Sequence, residues 1–524
     1  MRPISPLSAP VVTRHGSALA AHAIADAGAA EAVPLTSRDG AAVGVVHLAA
    51  ELAPFARTGG LGEAVQSLAR AQSMAGLQVS IVMPMYWQVR EGREFEQVGE
   101  AFRVQVGPRI EEARLFRLIE NRAPEGRPRI YFIESARYFD RAGIYGEDGT
   151  DYPDNHRRYA FFALAAIAAL PRIAQTPIVL HSHDWHTALG PVYLRNHFSR
   201  DPFHRQVSTV LSVHNAGFQG TFPYEVMEDL GLPLELFNFR QLEWYGRVNF
   251  LKGGVAFADA VTTVSPTHAH ELRTKAGGFG LDGVFVALRD RFTGITNGID
   301  QNAWDAATDL NITANYSRDD LSGKKKCRSA LQRTFGLQQR PRVPIFAMTA
   351  RLTSQKGLDL ILGDPSYFAL DAQFVFLGNG EPRYAAALTA LAERAPSRIA
   401  VELNFSERLE HRLLAGADLC LMPSLYEPCG LTQMRAQRYG TIPVARRVGG
   451  LADTIEDGTT GFLFDDYTTQ DFMHALMRAI DQYQDSTGWQ RMMREAMGRE
   501  FSWERSELRY RQLYRRVLGV APVR

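Results

Sequence analysis

From Val43 onward the chain alternates short, wholly apolar runs with amphipathic helical stretches, and it does so in two series. In the first, Val43–Ala49, Val79–Met83, Tyr131–Ile133, Ile178–His181, Ser208–Val213 and Ala260–Val264 read as strands. Leu61–Ala75, after a Gly-Gly turn, and 156–170 read as helices. After Thr296-Asn297-Gly298-Ile299-Asp300 the alternation stops; it resumes at Pro344–Ala350, with strands near Phe374–Leu377, Ile399–Glu402, Leu419–Met422 and Ile442–Ala445. A βαβα order builds a parallel, doubly wound sheet. The fold class is therefore α/β, with two Rossmann-like doubly wound domains, 41–300 and 343–500, around a linker region 301–342. A helical pattern over Phe501–Leu518 falls in a last segment, 501–524. Ligands of such sheets sit at the carboxyl ends of strands, and a cleft between two of them is a natural site.

Composition narrows the function classes. The 524 residues are 45% hydrophobic and 22% charged, an ordinary globular mixture long enough for more than one domain. A net charge of +1 gives no reason to expect nucleic acid or an anionic membrane as partner. The longest apolar run, Tyr159–Leu170, is too short to span a bilayer and reads as a buried helix. Cys327, Cys420 and Cys429 cannot form a disulfide framework and fit a reducing, cytoplasmic setting. Residues 1–40 are rich in Ala, Ser, Pro and Thr and are expected to be a disordered extension rather than a plastid transit peptide. The basic run Lys324-Lys325-Lys326 reads as a solvated helix face.

Several strand ends carry chemistry. After Leu419–Met422 a turn places Glu427, and Cys429-Gly430-Leu431-Thr432 follows as a helix start. Unpaired N–H groups and a positive dipole end suit a phosphate, and a carboxylate suits sugar hydroxyls. Arg351 and Lys356, in TARLTSQKG, lie five residues apart around a loop and can converge on one diphosphate. Leu377–Glu381 (LGNGE) is a second Gly turn at a strand end. Arg57-Thr58-Gly59-Gly60-Leu61-Gly62 follows the first strand, where glycines let backbone approach a phosphate. Ile178–His186 (IVLHSHDWH) runs from a strand into a histidine-rich turn; a metal needs a third ligand there, and Asp184 and His186 are alternatively caps of a helix from Thr187. Asp154, before the helix at 156–170, reads equally as its N-cap or as a site residue.

The runs ELAPFARTGGL, SQKG and EPCGLTQ, together with IVLHSHDWH, resemble the bacterial glycogen synthase and plant starch synthase family. The resemblance implies a GT-B architecture, two domains facing across a cleft with the C-terminal helix packing back on the first. It implies glucose transfer from ADP-glucose to the non-reducing end of an α-1,4-glucan with retention, needing no cofactor and no metal. By resemblance, Glu427, His183, Asp154, Arg351 and Lys356 are catalytic. Arg57, Gly59, Gly60, Tyr145, Asn249, Cys429, Gly430, Leu431 and Thr432 bind substrate, His183 hydrogen-bonds the donor sugar, and Phe405 stacks on the base. His214-Asn215 and Phe250-Leu251-Lys252 belong to the cleft wall. Two departures stand out. The family has lysine where this chain has Arg57, a planar fork in place of a point charge. Many such transferases also carry a second carboxylate eight residues after the first, where this chain has Arg435. A glucan-binding protein without turnover, or a related GT-B glycosyltransferase with another donor, are the alternative readings.

Overall fold

A computed structural model describes residues 35–37, 40–119 and 126–520. The expected extension 1–40 lies almost wholly outside the described residues. The chain divides into two compact units. The first takes in the chain up to Thr263, Ala269–Ile295 and the stretch from Ser506; the second takes in Val264–His268 and Thr296–Arg505.

The first unit is built on a ten-stranded sheet. Its parallel part runs Phe292–Gly294, Ala260–Thr263, Val207–Val213, Ile178–His183, Gly44–Leu48, Gln78–Pro84, Arg129–Glu134. The central strands are buried along their whole length, as their apolar composition requires of strands covered on both faces. The helix Asn155–Ile173 buries the run Tyr159–Ile167 completely or nearly so. Beyond Arg129–Glu134 the sheet continues antiparallel through Arg109–Leu118 to Phe95–Gln97, with Phe102–Val106 also paired to Arg109–Leu118. The sequence reading did not find these strands. Arg109–Leu118 alternates charged and apolar residues and covers only one face, so it lacks the continuous apolar run of its neighbours.

The second unit is a six-stranded, all-parallel sheet ordered Ile399–Glu402, Gln373–Leu377, Ile345–Thr349, Leu419–Met422, Ile442–Arg446, Phe462–Phe464. Phe346, Leu419, Leu421 and Val444 join helix residues Phe472, Leu476 and Trp489 in one buried core. Residues 301–342 hold the helix Ser322–Thr334, whose Cys327 and Leu331 pack with Leu414 and Leu413 respectively.

Here a correction is needed. Lys325 and Lys326 are exposed, but Lys324 is buried. Its ammonium donates to the Tyr439 carbonyl (2.9 Å), Thr441 Oγ1 (2.9 Å) and the Ala415 carbonyl (3.3 Å). Burial lowers its pKa to about 8. The helix has a hydrophobic stripe, and position 324 falls on it. Among the described residues no helix is long and apolar enough to cross a membrane.

Candidate active-site residues

In the second unit the strand Ile345–Thr349 ends just before exposed Arg351, and a 3-10 turn, Ser354–Lys356, follows. Gly357, at φ +80°, closes that turn; a Cβ there would overlap the Pro423 carbonyl, so only glycine lets the two loops meet. Leu425 N–H donates to the Gln355 carbonyl (2.8 Å) across the same seam. The result is that Lys356 Nζ reaches Glu427 Oε2 at 2.5 Å, and Ser424 Oγ donates to the same oxygen at 3.2 Å. Glu427 is 5% exposed. Gly449 packs against the Glu427 carbonyl, where a side chain would not fit.

The helix after Glu427 begins at Thr432, with Leu431 as its cap, and has seven residues. The Gln433 side chain donates to the Cys429 and Gly430 carbonyls at 3.0 Å each, which fixes the bend before it. Cys429 is buried, and burial pushes its thiol up to about 12, so it is not a thiolate. Phe405 is 46% exposed on the loop after Ile399–Glu402. Arg435 is buried, paired with Glu410 at 3.4 Å and stacked over Trp304 at 4.3 Å. The position of the second carboxylate in related transferases is here part of the packing.

In the first unit the Gly-rich loop is organised by a residue the sequence reading passed over. Glu51, 4% exposed, accepts from Thr58 N (2.7 Å), Gly59 N (3.3 Å), Thr58 Oγ1 (2.8 Å) and Tyr145 OH (2.6 Å). Two backbone N–H groups expected to face a phosphate are thus already taken by a carboxylate. Gly60 precedes the helix Leu61–Met74, and Arg57 is exposed on the loop. The Tyr145 ring stacks on His186 at 4.5 Å, and burial raises the phenol well above its ordinary value.

Asp154 does not cap its helix with its side chain. It holds Arg141 in a two-pronged pair at 2.7 and 2.6 Å. Burial would raise its pKa, but the Arg141 hydrogen bonds and charge outweigh this and lower it. Asn249 is fully buried and both its amide atoms are spent: Oδ1 accepts Lys252 N (2.9 Å) and Nδ2 donates to Gln219 Oε1 (2.6 Å). It is the N-cap of Phe250–Phe257. Asp184 does not cap a helix either. It sits at φ +57° and accepts His214 N (2.6 Å) and Asn215 N (3.4 Å). Burial raises its pKa to about 7, against those two hydrogen bonds.

His183 ends its strand, 1% exposed, with both ring nitrogens engaged. Its Nε2 lies 3.0 Å from His47 Nδ1 and its Nδ1 lies 2.9 Å from His214 Nε2. His47 Nε2 meets Gln72 Oε1 at 2.8 Å, Gln72 Nε2 donates to Tyr514 OH at 2.9 Å, and Tyr514 OH meets His181 Nδ1 at 2.7 Å. His181 Nε2 continues to Ser212 Oγ at 2.7 Å. Burial lowers the pKa of His47 and His214 to about 4 and of His181 and His183 well below the ordinary value, so the rings are neutral. His47, His181 and His183 bring their nitrogens within 4.8 Å of one another, the spacing of a metal site. Each of those six nitrogens, however, is already committed to a hydrogen bond. One signal in the sequence could have found this cluster: His47, His181 and His183 interrupt apolar strands at alternate positions, and His47 lies beside His181 in the sheet.

Comparison with known proteins places this geometry. Residues 44–287 match the family described as "Starch synthase catalytic domain", and 334–497 match "Glycosyl transferases group 1". A glycogen synthase of Anaeromyxobacter dehalogenans is 42% identical over 479 residues, covering 90% of this chain and 98% of the relative. Glycogen synthase 2 of Geobacter sulfurreducens is 40% identical over 485 residues, covering 90% and 98%. Among solved structures, the catalytic domain of Starch Synthase IV from Arabidopsis thaliana, bound to ADP and acarbose, superposes with a TM-score of 0.82. It is 32% identical and the match covers 91% of this chain and 99% of that one. The fold is accordingly of the GT-B class, with two Rossmann-like units.

Proposed function

We propose, from the premise that this chain belongs to the family of glycogen and starch synthases, that its donor is ADP-glucose. The chain is a retaining glucosyltransferase of glycogen or starch synthesis, taking glucose from a nucleotide-sugar to a glucan. The related starch synthase being bound to ADP supports the adenine nucleotide. A cytoplasmic setting fits the three free, buried cysteines.

The observation that carries the reading is the Lys356–Glu427 pair: a cation and a carboxylate held together at one strand end. In the proposed reaction the bond from the anomeric carbon to the diphosphate breaks. The 4-hydroxyl of an α-1,4-glucan end forms the new bond on the same face, and its proton passes to the departing diphosphate. Arg351, Lys356, Arg57 and the N–H groups at Leu431 and Thr432 stabilise the charge that develops there, the term that lowers such barriers most. Glu427 orients sugar hydroxyls. Phe405 stacks on the base. The test is to incubate the protein with glycogen and either ADP-glucose or UDP-glucose, and to follow released nucleotide and polymer growth. Faster growth with UDP-glucose would overturn the donor assignment; growth with neither would overturn the reading.

A further inference from the structure

We infer that His214 binds a hydroxyl of the donor glucose as a hydrogen-bond acceptor through Nδ1, its tautomer being set from the C-terminal helix by Tyr514 through Gln72, His47 and His183. The inference rests on the proposed function and adds a specificity residue and three positioning residues to it.

The direction of every hydrogen bond in the chain follows from one amide. Gln72 donates its Nε2 to Tyr514 OH, so its Oε1 must accept, and His47 must carry its proton on Nε2. A neutral imidazole has one donor and one acceptor nitrogen. His47 Nδ1 is therefore an acceptor, and His183 Nε2 donates to it. His183 Nδ1 is then an acceptor, and His214 Nε2 donates to it. That leaves His214 Nδ1 as a lone pair. His214 is half-buried, at the start of the loop after Val207–Val213, and among the described residues its Nδ1 makes no hydrogen bond.

The other arm of the network agrees. Tyr514 OH receives the Gln72 amide, so it donates to His181 Nδ1; the 2.7 Å separation suits an O–H donor. His181 Nε2–H then donates to Ser212 Oγ, which passes its proton toward Thr262 Oγ1 at 2.7 Å. No group in the sequence is left with two donors facing. His183 itself has neither ring nitrogen to spare for a sugar, which makes His214 the end of the chain that can meet one.

Two measurements on the full-length protein decide the matter. The first is nitrogen NMR with labelled histidine, the His214 signal assigned by its loss in His214→Phe. The expected result is an unprotonated Nδ1 and a protonated Nε2 in the parent protein. A protonated Nδ1 would reverse the chain and overturn the inference. Tyr514→Phe should mix the tautomers of His47, His183 and His214; if that variant does not fold, the parent spectrum still decides. The second is binding of ADP-glucose analogues carrying fluorine or hydrogen in place of one hydroxyl at a time. At one carbon both should bind about fivefold to tenfold more weakly, because neither can donate a proton. In His214→Phe that difference should vanish. If fluorine were tolerated wherever hydrogen was not, no hydroxyl would be donating and the inference would fall. Turnover of ADP-glucose itself, measured alongside, separates failure of the inference from failure of the functional reading.

Discussion

Lys356 Nζ lies 2.5 Å from Glu427 Oε2, although 71 residues separate them. Both loops end neighbouring parallel strands, Ile345–Thr349 and Leu419–Met422, so the pairing follows from sheet order. Neither charge is in open water: the side chains are 20% and 7% exposed. A cation for a diphosphate and a carboxylate for sugar hydroxyls thus hold each other in place before any ligand arrives.

Glu427→Ala should fold and lose most of its turnover, on the order of a hundredfold, because a sugar no longer held in its reactive pose reacts far more slowly. The partly solvated Lys356 limits the stability loss to about 1–3 kcal/mol. Thermal melting and initial rates measured together are the check. Near-parental turnover in a folded variant would make Glu427 a packing residue.

Arg57→Lys should keep or raise activity, and Arg57→Ala should lower kcat/KM for the donor about tenfold to a hundredfold, the loss of one charge-assisted hydrogen bond of ~1.5–3 kcal/mol. Equal rates for Arg57→Ala and parent at subsaturating ADP-glucose would remove Arg57 from the site.

Glu51 predicts a coupling. Its carboxylate ties Thr58, Gly59 and Tyr145 together, so it fixes the loop that carries Arg57. Glu51→Gln replaces one accepting oxygen by a donor and should cost roughly tenfold in kcat/KM. Combined with Arg57→Ala, the loss should be close to that of Arg57→Ala alone, since residues acting through one loop are not additive. Strict additivity would mean that Glu51 acts elsewhere.

Stability should depend steeply on pH. His47 and His214 titrate near 4 in the folded protein, and His181 and His183 also lie well below 6.5. Between about pH 4 and 6.5 the unfolded chain therefore binds a proton on each of these four that the folded protein does not. Asp184, raised to about 7, works the other way, binding a proton only when folded. Four less one leaves three. Stability should rise with pH across this window by about 4 kcal/mol per unit. Urea unfolding at pH 5.0, 5.75 and 6.5 measures it; a flat profile would show the rings to be charged or exposed.

Lys324→Met should destabilise by ~1–3 kcal/mol, because it leaves the buried Ala415 and Tyr439 carbonyls without their donor. Lys325→Ala and Lys326→Ala should each stay within about 0.5 kcal/mol. Denaturant midpoints distinguish them, and equal effects at all three positions would contradict the burial of Lys324.

The alternation of apolar runs was enough to find the parallel strands and the two Rossmann-like series, because a strand covered on both faces must be apolar throughout. The motifs, read by their resemblance, led to the family, and the spacing of Arg351, Lys356 and Glu427 relative to strand ends was legible as chemistry. What the sequence by itself could not settle was which polar atoms remain available. Asn249 and Asp154 have the right residue types for ligand contacts, yet one is consumed as a buried helix cap and the other by Arg141. Glu51, Gln72 and Tyr514 carried no motif at all, and Lys324 looked like one more solvated lysine. Hydrogen-bond partners in a folded chain are chosen by proximity in space, and Tyr514 meets Gln72 across 442 positions of sequence. Local pattern decides which segments become strands and helices. Only tertiary packing decides where a proton sits on His183, because that depends on groups brought together from five separate parts of the chain.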